Sequence, residues 1–350
     1  MLCILCHSYH TFCVPCASKY FLQLAARSSQ LALLAVAFCS LVGSAHAQIY
    51  TAATFDPLTH STAAPVTTPT GGHSVSLTGG AGYTVPIQIA PGTGGMQPQL
   101  AATYNSQSNV STMGIGWSLA GSGSAISRIN KTVATNGAAS APTLGTSDAI
   151  ALDGQRLVLI SGVYGASGSA YATENESYSR ITLSNSLGAA NASFKVVTKQ
   201  GSTIEYGTAN NAAFKSSATG AVILWRINKV TDAYGNYMNY TYEDGTTSRS
   251  SYLTEINYTG NDFTSVTITP YNKVKFIYAV RSIDANTVYI AGSSIKSDKK
   301  LTNIEVYEGT TKFRQYDFAY GAIPHQLLTS INFLFGTFNK NAYLCDIQLE

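Results

Sequence analysis

Charge is scarce in this sequence. Asp, Glu, Lys and Arg make up 11% of 350 residues, against the ~25% usual for soluble domains. The formal balance is only +3. Lys19 and Arg27 fall in the first 47 residues, which hold no acid, so from residue 48 onward the charge is 19 − 18 = +1. A polyanion partner needs clustered cations, and nucleic-acid binding is therefore not expected. Cysteine is scarcer still. Cys3, Cys6, Cys13, Cys16 and Cys39 precede residue 48, and only Cys345 follows, so an exported chain has no internal disulfide to hold it. The two C-x-x-C pairs are six residues apart, too close for a zinc ribbon, which needs roughly 15–20, and no metal is expected.

Chemistry-bearing motifs are missing as well. There is no G-x-S-x-G, no H-E-x-x-H and no phosphate loop ending in Gly-Lys-Ser/Thr, so hydrolase, metalloprotease and nucleotide readings lose their main supports. His60, His73 and His325 stand far apart. Glu174-Asn175-Glu176 has the spacing of the acidic pair in Arg-specific ADP-ribosyltransferases, but no Ser-Thr-Ser accompanies it, and a solvated pair is the better reading. Sequons such as Asn109-Val110-Ser111 read as turns. Catalytic residues, cofactors and metals are all expected to be none.

What is present is Gly, Ser and Thr, together with 22 Tyr and 13 Phe. This mixture suits a half-buried pleated surface. At the amino end, Lys19 and Arg27 precede LALLAVAFCSLVG (31–43) and then Ser44-Ala45-His46-Ala47. That is a positive region, a short apolar core and an A-x-A site, expected to be cut near Ala47 and to direct secretion. The run is shorter than the ~20 residues of a span, so no membrane span is expected after cleavage. Residues 48–70, rich in Thr, Ala and Pro, read as a linker.

From Gly71 the sequence reads as short alternating runs: YTVPIQI (83–89), QLAATYN (99–105), FKVVTK-QG-STIEYG (194–207), AVILWRINKVT (221–231), NKVKFIY (272–278) and FRQYDFAY (313–320). Pro86 predicts an edge or bulged strand, Gly201 a tight hairpin turn, and the start of AVILWRINKVT a strand covered on both faces. VTDAYGNYMNYTYE (230–243) predicts strand, turn, strand. Asp232 caps the turn, Gly235 and Asn236 are suited to left-handed φ, and Met238, Tyr240 and Tyr242 share a face. An L-T-x-I unit recurs at 253–256, 301–304 and 328–331, suggesting a repetitive β-array.

D-x-x-G-N-x-x-x-Y-x-Y at Asp232, Gly235, Asn236, Tyr240 and Tyr242 resembles the Rhs/YD repeat. HSVSLTGGAGYTVPIQIAPGTGGMQPQLAATYNSQSNVSTMGIGWSLAGSGSAISRI (73–129) resembles the opening of the SpvB-type domain, which also begins the B subunits of insecticidal toxin complexes (TcB). LDGQRLVL (152–159), YSRI (178–181) and WRINKVTDAYGNYMNYTY (225–242) follow in that family's order. The resemblance implies an all-β fold over 71–350, a long antiparallel meander or curved sheet forming part of an Rhs/TcB-like β-shell (cocoon). Rhs-like strands are expected from about 225, with continuation past Glu350 usual in the family. It further implies a non-catalytic wall of a secreted, toxin-related assembly that encloses or presents an effector. The implied partners are further Rhs or toxin-complex chains, and members also act in the target cell's cytoplasm. A free-standing adhesive or carbohydrate-binding module, docking on host-surface glycan through its tyrosines, is the alternative.

Within this frame the Gly-rich stretch is structural. Pro91 and Gly92, with Gly94-Gly95, turn the chain. Gly114 and Gly116 admit close backbone approach, Trp117 packs on the sheet, and Tyr104 is a further structural residue.

Overall fold

The structure, a computed structural model, describes residues 71–245, 249–262, 267–321 and 325–335. The expected leader, the linker and Cys345 lie outside the described residues. Alternation becomes strand where the sequence predicts it. β1 (Gly72–Val75), β2 (Ala81–Ile87), β3 (Leu100–Asn105) and β6 (Trp117–Ala120) form an antiparallel sheet in the order β1-β2-β3-β6. A small hairpin, β4 (Val110–Ser111) and β5 (Gly114–Ile115), lies between β3 and β6. β2 is not an edge strand throughout, because β1 pairs with it as far as Thr84. Pro86 lies beyond that point, paired only with Ala101 of β3, so its missing N–H costs no ladder bond.

The next strands are β7 (Ala125–Ile129), β8 (Ala149–Leu152), β9 (Gln155–Ser161), β10 (Ala170–Thr173), β11 (Arg180–Ser184), β12 (Ser193–Val197) and β13 (Thr203–Tyr206). They pair in chain order. β14 (Ala213–Lys215) and the long β15 (Val222–Thr231) follow, and β15 pairs with both β7 and β13, closing a ring of eight strands. Closure removes the open edges that a flat sheet would expose. β15 serves two sheets. Its first half pairs with β7 and β14, and its second half with β13 and β16 (Asn236–Tyr242). Val222, Ile223 and Trp225 are buried accordingly.

From β16 the sheet runs on as an antiparallel meander through β17 (Leu253–Asn261), β18 (Asn272–Val280), β21 (Lys299–Glu308), β22 (Thr311–Gly321) and β23 (Leu327–Phe335). Between β18 and β21 a hairpin, β19 (Asn286–Ile290) and β20 (Ser293–Ser297), packs Ile290 and Ile295 against Leu144, Phe214 and Ile223.

One rule repeats along the meander. Tyr240 stands opposite Ile256 and Tyr242 opposite Leu253. Phe276 meets Ile304 and Tyr278 meets Leu301, then Phe318 meets Ile331 and Tyr320 meets Leu328. Leu and Ile three positions apart would point to opposite faces of a straight strand. In each L-T-x-I unit, however, the register skips the Thr: Thr254, Thr302 and Thr329 are bulge residues. The extra residue turns both apolar side chains inward, where all six Leu and Ile residues are buried. Thr254 and Thr302 donate from Oγ1 to the facing carbonyls of Thr241 and Ile277, each at 3.0 Å. β15 carries a variant, Ile227-Asn228-Lys229-Val230, in which Asn228 is skipped opposite β13.

The tyrosine of each unit completes the sheet on its other side. Pairing of β18 with β17 ends at Lys275, and beyond it the Tyr278 hydroxyl donates to the Leu253 carbonyl at 2.9 Å. Pairing of β16 with β15 ends at Asn239, and the Tyr242 hydroxyl donates to the Ile227 carbonyl at 2.9 Å. Pairing of β22 with β21 ends at Asp317, and the Tyr320 hydroxyl donates to the Leu301 carbonyl. At these three positions a phenol stands in for a backbone N–H.

Candidate functional site

The Gly-rich loop is a clasp laid across the meander. Its residues follow β2, and the backbone N–H of Gln88 donates to the Tyr316 hydroxyl at 2.7 Å. The Tyr258 hydroxyl donates to the Ala90 carbonyl at 2.9 Å, and Asn272 Nδ2 to the Pro91 carbonyl at 3.3 Å. Gly92 is required for space and not for φ, which is −94°. A Cβ there would lie 2.0 Å from the Met96 carbonyl oxygen. Gly94 does take positive φ, +61°, and passes close to Asn236 Nδ2.

Gly114 and Gly116 combine both demands. Their φ values are +91° and +74°. A Cβ on Gly114 would stand 2.6 Å from the Gln326 carbonyl oxygen, and one on Gly116 would stand 2.5 Å from the Tyr104 ring. Ile115 N–H donates to that same Gln326 carbonyl at 3.1 Å, and Leu301 N–H donates to the Thr112 carbonyl at 2.8 Å. Trp117 is buried and meets Tyr104 at 5.4 Å between ring centres. The hairpin that carries these glycines is thereby fastened to the far end of the meander. Arg281, also buried, adds a hydrogen bond to the Ser111 carbonyl.

At the Asp-x-x-Gly-Asn turn, Asp232 Oδ1 accepts from the backbone N–H of Tyr234 at 2.8 Å and of Asn236 at 2.9 Å. Gly235 has φ +78°. Asn236 does not share the left-handed conformation expected for it: it opens β16, and its amide donates to Asp232 Oδ2 at 2.8 Å. The motif asparagine locks the cap, and glycine alone supplies the turn geometry. Tyr240 and Tyr242 are buried, and burial pushes the Tyr240 hydroxyl up to about 12. Burial also raises the hydroxyls of Tyr242, Tyr278 and Tyr320 well above the ordinary phenol range. The sequence-selected residues are therefore spread over four places: Pro91 and Gly92 in the clasp, Asp232, Gly235 and Asn236 in the turn, which the clasp approaches through Gly94, Tyr240 and Tyr242 in the core of the meander, and Tyr104, Gly114, Gly116 and Trp117 at the hairpin.

Two polar centres carry no sequence signature that we could read. Arg128 of β7 is buried with Asp148 at 2.8 Å, and its other N–H groups reach the carbonyls of Val222, Gly145 and Leu187. Burial alone would raise the Asp148 carboxyl, but hydrogen bonds from Thr143 and the Arg128 partner outweigh it and hold the group below its usual range. Arg226 lies 4.3 Å over the Tyr242 ring, donates to Ser251, and is lowered by burial to about 10. Arg128 lies in ISRI and Arg226 in WRINKVT, both within the stretches that carry the resemblance.

Glu174 and Glu176 are exposed, and Glu176 accepts from the Tyr178 N–H within its own turn. Among the described residues no group of His, Cys, Asp and Glu could hold a metal. A cleft of about 350 Å³ beside the clasp is lined by Gln97, Phe313 and Arg314 among others, without a nucleophile and base in concert. The arrangement staples sequence-distant strands together.

Residues 75–155, which contain the hairpin and most of the clasp, match the family model described as Salmonella virulence plasmid 65kDa B protein, SpvB. Over this segment the chain is similar to the SpvB family. Several solved structures share the fold. TcdB2-TccC3 aligns at a TM-score of 0.62 and 16% identity over 77% of this chain and 16% of that one. The N-terminal domain of the effector SpvB from Salmonella typhimurium strain LT2 aligns at 0.58 and 18% identity, over 72% of this chain and 98% of that domain. The Tc holotoxin pore of Photorhabdus luminescens aligns at 0.60 and 17% identity, covering 77% of this chain and 15% of the other. The SpvB-like chain thus spans about one sixth of the toxin-complex chain it matches first. No curated protein sequence matches it.

Proposed function

We propose that this SpvB-type chain is a non-catalytic structural part of a secreted, toxin-related assembly: one stretch of a β-shell wall that encloses or presents an effector, joined to further Rhs or toxin-complex chain. The observation that carries the reading is the clasp. Its residues, within the stretch that matches the family, secure the meander, and Tyr242, Tyr278 and Tyr320 of the meander are spent on carbonyls of neighbouring strands. That use of side chains is construction. The expected processing at Ala47 and the linker over 48–70 belong to the same proposal.

Exposed rings outside the ladder, Tyr178 at 69% and Tyr234 at 77%, favour the alternative of a secreted carbohydrate-binding module, since rings of this kind stack on sugars. The test is to read the gene beyond codon 350 and image its secreted product by electron microscopy, with a glycan array run in parallel. A hollow particle whose wall contains this fold supports the proposal. A monodisperse single domain that binds glycans reversibly overturns it.

A further inference from the structure

The last strand of the meander, β23, is paired with β22 on one side, and among the described residues no strand pairs with its other side. An open strand edge accepts another strand, and the repeats specify which kind. Each strand of the bulged type is followed by a neighbour reading apolar-x-Phe/Tyr-x-Tyr. β15 takes Met238-x-Tyr240-x-Tyr242, β17 takes Val274-x-Phe276-x-Tyr278, and β21 takes Tyr316-x-Phe318-x-Tyr320. In every case the first residue of the motif stands opposite the inner apolar residue of the bulged unit: Met238 faces Val230, Val274 faces Ile256, and Tyr316 faces Ile304. The closing tyrosine donates to the carbonyl three residues before that apolar residue, at Ile227, Leu253 or Leu301. β23 carries the same unit, Leu328-Thr329-Ser330-Ile331, with the same bulge.

We infer that the open edge of β23 is a selective strand acceptor for a partner polypeptide bearing apolar-x-Phe/Tyr-x-Tyr. The apolar residue seats opposite Ile331, and the tyrosine hydroxyl donates to the Leu328 carbonyl. A second copy of this chain does not supply that strand. Phe/Tyr-x-Tyr occurs in the sequence only at 240–242, 276–278 and 318–320, and β16, β18 and β22 are each already paired on both sides. The fastened hairpin does not compete for the carbonyl. At the equivalent position, Leu301 gives its N–H to Thr112 and its carbonyl to Tyr320 together.

The inference rests on the wall reading but is tested apart from it. Titrating the full chain into a fluorescent peptide with the β18 sequence NKVKFIYAV should give saturable binding, about fivefold weaker when the peptide tyrosine is replaced by Phe, the loss expected for one hydrogen bond. New amide protection should appear over Leu328–Phe333. No binding, equal binding of the Phe peptide, or protection confined to the β1 edge would overturn the acceptor rule. If the peptide fails while imaging still finds a hollow particle, the wall reading survives and this rule alone falls.

Discussion

The Tyr278 hydroxyl donates to the Leu253 carbonyl at 2.9 Å, at the point where β18 stops pairing with β17. A side chain here replaces one rung of a ladder that the Thr254 bulge has interrupted. Tyr278→Phe keeps the ring and strands the carbonyl, so it should cost about 1–3 kcal/mol. Tyr278→Ala also empties the core and should cost about 3–5 kcal/mol. Urea unfolding of both variants checks the order; a Tyr278→Phe variant as stable as the parent would mean that the hydroxyl contributes nothing.

Deleting Thr302 removes the extra residue that turns Leu301 inward. Leu301 and Ile304 are then two positions apart, which a straight strand keeps on one face, so their contacts with Tyr278 and Phe276 survive. Only the kink and the Oγ1 donor to the Ile277 carbonyl are lost, and unfolding should stay cooperative at a cost of about 1–3 kcal/mol. Thr302→Ser, which keeps the bulge and an Oγ donor toward Ile277, should stay within about 1 kcal/mol of the parent.

Alternation made the strands legible, and in YTVPIQI it also gave the facing: Val85 and Ile87 are buried as their spacing predicts. Local pattern cannot name a partner, however. Trp225 pairs with Ile126 across about a hundred residues, so closure of the ring was not visible beforehand. A period of two also hides a bulge, which is why L-T-x-I could be seen as a repeat but not as the device that keeps Leu253 and Ile256 on one face. The motif turn was half legible. Asp232 caps as its chemistry requires, whereas Asn236 is used for its amide and not for φ.

The Arg128–Asp148 pair lies buried in the ring. Arg128→Met leaves a buried carboxylate without its counter-charge and should cost about 3–5 kcal/mol, while adding Asp148→Asn, which removes the charge but keeps an oxygen for the Thr143 and Leu144 N–H groups, should recover part of that. The Asp148 carboxyl is held below its usual range when folded. Its contribution is therefore present above the unfolded value near 4 and lost as pH falls through the lower folded value. Acid titration of stability in parent and double variant measures it, and the double variant should lose less.

Gly92→Ala should weaken the clasp, because its Cβ would meet the Met96 carbonyl. A cost of about 1–3 kcal/mol is expected from overpacking of this kind. Hydrogen exchange should quicken first around Ala90 and Asn272. Fast exchange spread evenly over the whole chain would argue against a local clasp.

Tyr242, Tyr278 and Tyr320 are raised by burial. Their neutral forms stabilise the fold fully below the unfolded value near 10, and that contribution is lost as pH rises above it. The most direct measurement is a carbon-13 NMR titration of the tyrosine ring carbons, using the urea-unfolded chain as reference. If these phenols are architectural, their three resonances hold their protonated positions until the protein unfolds cooperatively in alkali. Titration of all three at the reference midpoint within a folded chain would contradict the account.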